Sequence, residues 1–147
     1  MKIRILDIIK GTTVDGPGFR TSIYFAGCVH QCPGCHNPQS WDFSAGMEME
    51  IEEILKIVRE EDFDVTLSGG DPLCSPVELF ELTKAIKILG YNIWVYTGYT
   101  YEEIKDNKIL KDSLQYVDTI VDGRFIESLK NPDLQFRGSA NQRIIDL

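Results

Sequence analysis

Strand patterns alternate with helix patterns along most of the chain, and this alternation limits the possible folds more than any other feature. The strand patterns lie at 21–26, 64–68, 92–96 and 117–121, and the helix patterns lie at 49–60, at 75–90 and, more weakly, after Thr100. Short connections between such units favour parallel strands joined by right-handed crossovers. The sequence therefore predicts an α/β fold with a parallel sheet.

The boundaries of two helices carry their own signals. Ser75 and Glu78 have the spacing of a capping box, and Pro76 occupies the first helical position. Gly90 is the predicted end of that helix. Thr100 and Glu103 repeat the capping-box spacing at the start of the weaker helix. Additional short strands are predicted at 3–9 and 143–145.

Length and charge exclude several classes of protein. The 147 residues suffice for one domain, 1–147, and fall short of the roughly 250 residues of an eight-unit barrel. Lys and Arg total 15 against 23 Asp and Glu, and a net charge of −8 disfavours nucleic acid as a partner. Apolar runs are much shorter than the roughly 18 residues that cross a membrane, and the N-terminus lacks the features of a signal peptide. We therefore expect no membrane association and a cytoplasmic location.

Unusual segments follow four of the predicted strands. In chain order they are GCVHQCPGCHNP, SGGDPL, TGYT and DGRF. Because ligands of parallel α/β folds bind beyond the C-terminal ends of the strands, we expect these segments to gather at one rim. A polar tail, about 127–147, follows the last of them.

The loop at 27–38 contains Cys28, Cys32 and Cys35 in the spacing C-x3-C-x2-C. Disulfides are disfavoured in a reducing cytoplasm, and three thiols within eight residues indicate a metal or an iron–sulfur cluster. Three thiolates would leave one iron of a [4Fe–4S] cluster without a protein ligand. Cys74 or His36 could instead complete a closed zinc site or a closed electron-transfer cluster, and the spacing alone leaves these alternatives open.

The cysteine loop and the GG-acid motif together resemble the radical S-adenosylmethionine enzymes. Within that superfamily, VDGPGFRTSIYFAGC resembles the N-terminal signature of the glycyl-radical-enzyme activases. The strings WVYTGY, VDGRF and QFRGSANQ resemble the branch that acts on the anaerobic ribonucleoside-triphosphate reductase. The resemblance covers about Val14 to Ile145.

This resemblance implies the roles of individual residues. Cys28, Cys32 and Cys35 would bind the [4Fe–4S] cluster, whose open iron would bind S-adenosylmethionine. The cofactor-binding residues implied in the same way are Gly34, Cys35, His36, Gly69, Gly70, Asp71 and Asp122. Asp71 stands where the superfamily usually has Glu, and Asp122-x-Arg124 loosely resembles an Asp-x-Lys of related activases.

The resemblance also implies a fold, a reaction and partners. The fold is an incomplete TIM-like barrel of about four to five parallel strands with outer helices, open on one side. Reductive cleavage of S-adenosylmethionine would give a 5′-deoxyadenosyl radical, which abstracts hydrogen from a glycine of the reductase. The electron would come from a reductant such as flavodoxin. We expect the open side of the barrel to admit the glycine-bearing segment of the partner.

Two alternatives remain at this stage. The chain could activate another glycyl-radical enzyme, such as pyruvate formate-lyase. It could also be a non-catalytic metal or electron-transfer module with four cysteine ligands, of which Cys74 would be the fourth.

Several residues near these motifs have ordinary structural interpretations. We interpret His30 as a surface residue of the cysteine loop, Cys74 as a small half-buried thiol, and Arg137 and Arg143 as surface charges. The two arginines could alternatively bind a carboxylate or the reductase.

Overall fold

The computed structural model describes residues 1–35 and 38–147, which form one sheet of seven strands with four α-helices. The strands are β1 (Lys2–Thr12), β2 (Arg20–Phe25), β3 (Met47–Glu50), β4 (Asp64–Gly69), β5 (Ile93–Tyr96), β6 (Thr119–Asp122) and β7 (Arg143–Asp146). The helices are α1 (Ile51–Glu61), α2 (Pro76–Ile88), α3 (Tyr101–Lys105) and α4 (Lys108–Ser113).

Four parallel strands form the centre of the sheet. The strand order is β3-β1-β2-β4-β5-β6-β7, and β2, β4, β5 and β6 pair in parallel. The antiparallel strands β1, β3 and β7 flank this centre, with β3 and β7 at the two edges. The predicted α/β class with parallel strands is confirmed, whereas curvature of the sheet into an incomplete barrel stays a prediction.

The first strands differ from the prediction. β1 runs to Thr12 and pairs antiparallel with β2, since both strands belong to one hairpin. Residues Met47–Glu50, which include the start of a predicted helix, form the edge strand β3 against Lys2–Ile5. The helix begins only at Ile51, where Glu50 and Glu53 form a reciprocal capping box.

The predicted helix boundaries were partly correct. Thr100 and Glu103 form the expected capping box, with a Thr100 Oγ1 to Glu103 N distance of 3.2 Å. Ser75 makes no side-chain cap, because it also ends the short 3-10 turn Pro72–Cys74 and has φ −128° and ψ 66°. Pro76 does occupy the first turn of α2, and Gly90 follows its end in the left-handed conformation at φ +92°.

The two faces of the sheet have different chemistry. One face packs the buried side chains Ile23, Leu67 and Val95 in the apolar core, to which α1 and α2 also contribute. Residue alternation puts Arg20, Thr66 and Trp94 on the opposite face. Burying each large apolar side chain contributes roughly 1.5–3 kcal/mol, so the core face dominates the stability of the sheet.

The buried Arg20 lies on the second face and joins three segments. Its guanidinium group donates to Thr66 Oγ1 at 2.8 Å, Pro17 O at 3.2 Å and Asn92 Oδ1 at 2.8 Å. This face is therefore polar and firmly hydrogen-bonded. None of the helices in the described residues is long and apolar enough to cross a membrane.

Candidate functional site

A cavity of about 130 Å³ lies beyond the C-terminal ends of the parallel strands. It is lined by Cys28, His30, Cys32 and Cys35 after β2, by Gly70 after β4, by Tyr96, Thr97 and Gly98 at the end of β5, by Gly123 and Phe125 after β6, and by Gln142 before β7. The predicted convergence of the four unusual segments is therefore confirmed. The cavity brings three thiol groups to one space.

Backbone hydrogen bonds fix the cysteine loop at its start. Gly27 N donates to Ser40 O at 2.7 Å, and Cys28 N donates to Trp41 O at 3.2 Å. Gly70 N and Asp71 N donate to Phe25 O and Gly27 O, both at 2.8 Å. The GG-acid motif is thus bonded directly to the backbone from which the cysteine loop starts.

Close packing at this contact requires glycine at position 70. A Cβ atom there would lie 2.4 Å from Gly27 O, which is shorter than any real contact of this kind. The absence of a side chain lets the two loops approach each other and leaves Gly70 on the cavity wall.

The cysteine side chains differ in their electrostatic surroundings. The Cys74 thiol donates a hydrogen bond to Cys28, and this bond lowers the pKa of Cys28 to about 6 although burial opposes the shift. The same bond, together with burial, raises the pKa of Cys74. Burial raises the pKa of Cys32. Cys74 is not among the described residues that line the cavity, so it contacts Cys28 without sharing the space of the other thiols.

Asp71 connects three of the four loops through its buried carboxylate, which is 1% exposed. Oδ2 accepts hydrogen bonds from His30 Nε2 at 2.7 Å, Thr97 Oγ1 at 3.0 Å and Gly98 N at 2.8 Å. Oδ1 accepts from Leu73 N at 3.0 Å. Both oxygens are therefore engaged by the protein itself, and Asp71 holds the loops after β2, β4 and β5 together.

The prediction that His30 is a surface residue is wrong. Its side chain is 3% exposed, and its ring meets the ring of Tyr99 edge-on at 4.6 Å. Burial acts to lower the pKa of His30, but the hydrogen bond and the charge of Asp71 outweigh burial and raise it. The ring also packs on Gly98, where a Cβ atom would lie 2.4 Å from its Cδ2.

Comparison with known proteins identifies the family. Residues 14–145 match the family model described as a 4Fe-4S single cluster domain. The anaerobic ribonucleoside-triphosphate reductase-activating proteins of Vibrio cholerae and Pasteurella multocida are 41% and 39% identical to this chain; each match covers 89% of this chain, and 90% and 89% of the respective relative. The chain belongs to the family of anaerobic ribonucleoside-triphosphate reductase-activating proteins.

One further relative supports this membership, and one solved structure supports the fold. The relative from Escherichia coli strain K12 is 37% identical, with 88% of this chain and 89% of the relative covered. Among solved structures, QueE from Escherichia coli resembles the fold with a TM-score of 0.59 at 17% identity, covering 83% of this chain and 70% of that chain.

The second acidic residue of the family motifs, Asp122, is also 1% exposed. Its Oδ2 accepts from Tyr101 N at 2.8 Å, and its Oδ1 accepts from Arg143 N at 3.1 Å and Arg143 Nε at 3.2 Å. Arg143 also binds Glu102, with Nη1 to Oε1 at 2.9 Å. Arg143 is exposed, as interpreted from the sequence, but its carboxylate partners also join β7 to β6 and α3.

The other residues that the sequence analysis named for the reductase-activating family lie in different parts of the fold. Gly34 packs against Glu127, whose carboxylate a Cβ atom would approach to 2.8 Å. Arg124 makes a two-pronged ion pair with Glu103, at 2.9 Å and 3.2 Å. Gly69 ends β4 beside the cysteine loop. His36 lies outside the described residues.

The polar tail supplies part of the cavity wall, which sequence reasoning missed. Gln142 Oε1 accepts from Gly138 N at 2.8 Å, while Gln142 Nε2 donates to Gly123 O at 3.0 Å. Gln142 ends the string QFRGSANQ and lies just before the last strand, and these two features are the sequence signals that could have indicated this role. Gln142 thus attaches the tail to the loop after β6.

Proposed function

We propose that this chain activates an anaerobic ribonucleoside-triphosphate reductase, with Cys28, Cys32 and Cys35 as ligands of one [4Fe–4S] cluster. The observation that carries the proposal is the convergence of these thiols on one cavity in a member of the reductase-activating family. When bound, the cluster and S-adenosylmethionine supply a 5′-deoxyadenosyl radical that removes hydrogen from a glycine of the reductase.

The donor set fits such a cluster. Three thiols of intermediate exposure line the cavity, and thiolates are the usual protein ligands of iron–sulfur clusters. One iron would then lack a protein ligand and could take the amino and carboxylate groups of S-adenosylmethionine. Thiols that must stay reduced suit a cytoplasmic location, which we include in the proposal.

We assign the backbone at Gly69 and Gly70 to the amino group of S-adenosylmethionine. An ammonium group needs acceptors, and Gly70 brings its backbone to the cavity wall without a side chain in between. The carboxylate of Asp71 already accepts four protein hydrogen bonds. Its role in cofactor binding is therefore to position the loops. The carboxylate of Asp122 is instead engaged by Tyr101 and Arg143, so we assign it a role in the stability of the sheet edge.

The edges of the sheet support the expected access for a partner. β3 and β7 lie at opposite edges, so the strand order leaves the sheet open between them. An incomplete barrel formed from this sheet would admit a glycine-bearing segment from the side. A reductant such as flavodoxin would deliver the electron.

Anaerobic reconstitution with iron and sulfide tests the proposal. We expect roughly four irons per chain and cleavage of S-adenosylmethionine under a strong reductant, in line with one [4Fe–4S] cluster. Cys28→Ala should abolish both, while Cys74→Ala serves as the matched cysteine control and should retain iron. A wild-type protein that holds the cluster but never cleaves S-adenosylmethionine would contradict the proposal.

Because Cys74 contacts Cys28, a closed site with four cysteine ligands is an alternative. The same control decides it, because that site requires Cys74 for metal retention. An activase of pyruvate formate-lyase is the other alternative. Electron paramagnetic resonance after incubation with each candidate enzyme distinguishes them by which one acquires the glycyl radical.

A further inference from the structure

A second cavity, of about 230 Å³, lies next to the cysteine cavity. Its walls are Val14 and Asp15 from the loop between β1 and β2, Tyr96 from the end of β5, and Leu134 and Phe136–Gly138 from the tail. Tyr96 lines both cavities, so the two spaces are adjacent. Whatever occupies the second cavity lies close to the proposed cluster.

The tail wall of this cavity is held in a specific conformation. Tyr96 Oη donates to Phe136 O at 2.8 Å, and the Phe136 ring meets the Trp94 ring edge-on at 5.5 Å. Phe136 has φ +60°, a left-handed conformation that costs a bulky residue free energy. Since the surrounding contacts maintain this conformation, the shape of the wall is fixed by the fold.

Hydrogen-bond donors without partners follow one another along this wall. In the described part of the chain, the backbone N–H groups of Gln135 and Phe136 donate to no acceptor. The guanidinium group of Arg137 makes one long bond, from Nε to Gln135 O at 3.3 Å, and forms no ion pair with a described residue. These residues are exposed or half-buried, so their donors are accessible to a ligand rich in acceptor groups.

Arg137 differs from Arg124 and Arg143 in that no carboxylate of the described residues pairs with it. Arg124 and Arg143 are both neutralised by carboxylates of α3. Asp15 lines the same cavity, but its carboxylate accepts from Ser22 Oγ at 3.0 Å and Tyr24 Oη at 2.8 Å and forms no ion pair with Arg137. In a chain with a net charge of −8, Arg137 thus keeps a positive charge at a cavity, unpaired within the described residues.

We propose that this second cavity binds the extended peptide segment of the reductase that carries the glycine, with Arg137 and the adjacent backbone amides donating to its carbonyl groups. This inference rests on the proposed function and names the part of the chain that receives the partner. A peptide backbone presents carbonyl acceptors at regular intervals, which matches a row of amide donors followed by a guanidinium group. Its position beside Tyr96 brings the segment to the cluster cavity.

The test measures two reactions separately in reconstituted protein. One is cleavage of S-adenosylmethionine without the reductase, and the other is the glycyl radical yield, together with the affinity for the purified reductase. We expect Arg137→Ala to weaken binding about tenfold and to lower the radical yield at limiting reductase, while cleavage stays at the wild-type rate. Arg137→Lys should restore part of the affinity, and Arg137→Glu should lower it further.

Arg59→Ala, which removes an exposed arginine of α1, is the matched control and should change neither reaction. The inference is overturned if Arg137→Ala binds and activates the reductase as Arg59→Ala does. It is also overturned if inorganic phosphate occupies the cavity without competing with the reductase, since the site would then bind a small anion. Failure of the proposed function gives a different result, namely no cleavage by wild-type protein.

Discussion

Asp71 and Asp122 occupy equivalent places in the fold but organise different parts of it. Each carboxylate follows or ends a parallel strand, β4 and β6 respectively, and each is 1% exposed. Asp71 binds His30, Thr97 and Gly98, which all line the cysteine cavity. Asp122 instead binds the start of α3 and the arginine that begins β7.

Within one sheet, Asp71 therefore holds the loops of the site together, whereas Asp122 attaches the edge strand β7. The partners of Asp71 come from loops on both sides of β4, so its bonds set the positions of those loops relative to one another. The partners of Asp122 belong to the outer end of the sheet, where Arg143 remains half exposed. Changes at Asp71 should therefore alter the cluster, and changes at Asp122 should alter stability alone.

Asp71→Asn should have the largest effect. The new amide group would replace Oδ2, and its N–H atoms would face the N–H of Gly98, which needs an acceptor. Leaving buried donors without an acceptor costs about 3 kcal/mol of unfolding free energy. Urea unfolding of the iron-free protein measures this loss, and iron per chain after reconstitution should fall as well.

Asp106→Asn changes an exposed aspartate and is the control for that measurement. If Asp71→Asn lost stability but retained a full cluster with normal cleavage of S-adenosylmethionine, the role of Asp71 in positioning the cysteine loop would be refuted.

Asp122→Asn should have an intermediate effect confined to stability. It weakens the bonds to Tyr101 N and Arg143, but Arg143 keeps its pairing with Glu102. We expect a loss of about 2 kcal/mol in urea unfolding, with iron content and the electron paramagnetic resonance spectrum unchanged. If Asp122→Asn lost as much iron as Asp71→Asn, the two residues would have the same role in holding the cluster.

Thr97→Val removes one hydroxyl donor to Asp71 at nearly constant volume. Asp71 Oδ2 keeps its bonds from His30 and Gly98, but Tyr99 N loses Thr97 Oγ1 as its acceptor at 3.1 Å, so the loss should be about 1.5 kcal/mol. Thr119→Val is a matched change outside the cavity, where the hydroxyl binds Asp146 at 2.8 Å. Both variants should unfold at a lower urea concentration than wild type, but only Thr97→Val should alter the spectrum of the cluster with S-adenosylmethionine.

Acid should produce the smallest effect, on the Asp122 side of the sheet. Hydrogen bonds from Arg143 and Arg124 lower the pKa values of Glu102 and Glu103 from 4.5 to about 2. The stability that these ion pairs contribute is therefore present above pH 4.5 and is lost as the pH falls toward 2. Because both carboxylates are exposed to solvent, the contribution is small.

Urea unfolding across that pH range compares wild type with Glu102→Gln/Glu103→Gln. The double variant should lose less stability than wild type as the pH falls. Glu52→Gln/Glu60→Gln removes two exposed carboxylates of α1 as a control and should follow wild type. Identical acid dependence in all three proteins would show that the arginine pairs contribute nothing.

The sequence predicted the parallel centre of the sheet because buried strands and amphipathic helices leave strong local patterns. It missed β3, since Met47–Glu50 is a short edge strand whose pairing with β1 depends on residues more than 40 positions away. The Ser75 cap failed for a related reason, because the preceding 3-10 turn uses the same residue. The spacing of residues along the chain cannot show that two neighbouring elements use the same residue.

The candidate site also has features that the sequence predicted and features that it did not. The cysteine spacing and the glycines at strand ends could be interpreted from the sequence alone. The burial of His30 could not, because its partner Asp71 lies 41 residues further along the chain. The contribution of Gln142 and the unpaired Arg137 likewise became visible only once the tail had been placed against β5 and β6.

The separation between His30 and its partners has a consequence for how the protein is made. Translation delivers all three thiols of the cysteine cavity before it delivers Asp71, Thr97 or Gly98, which fix their loop. At roughly 5–20 residues per second, the nascent chain carries these thiols for roughly 3–12 seconds before Gly98 is added. We therefore expect the cysteine loop to reach its final position, and so to be ready for iron, only after β5 has joined the sheet.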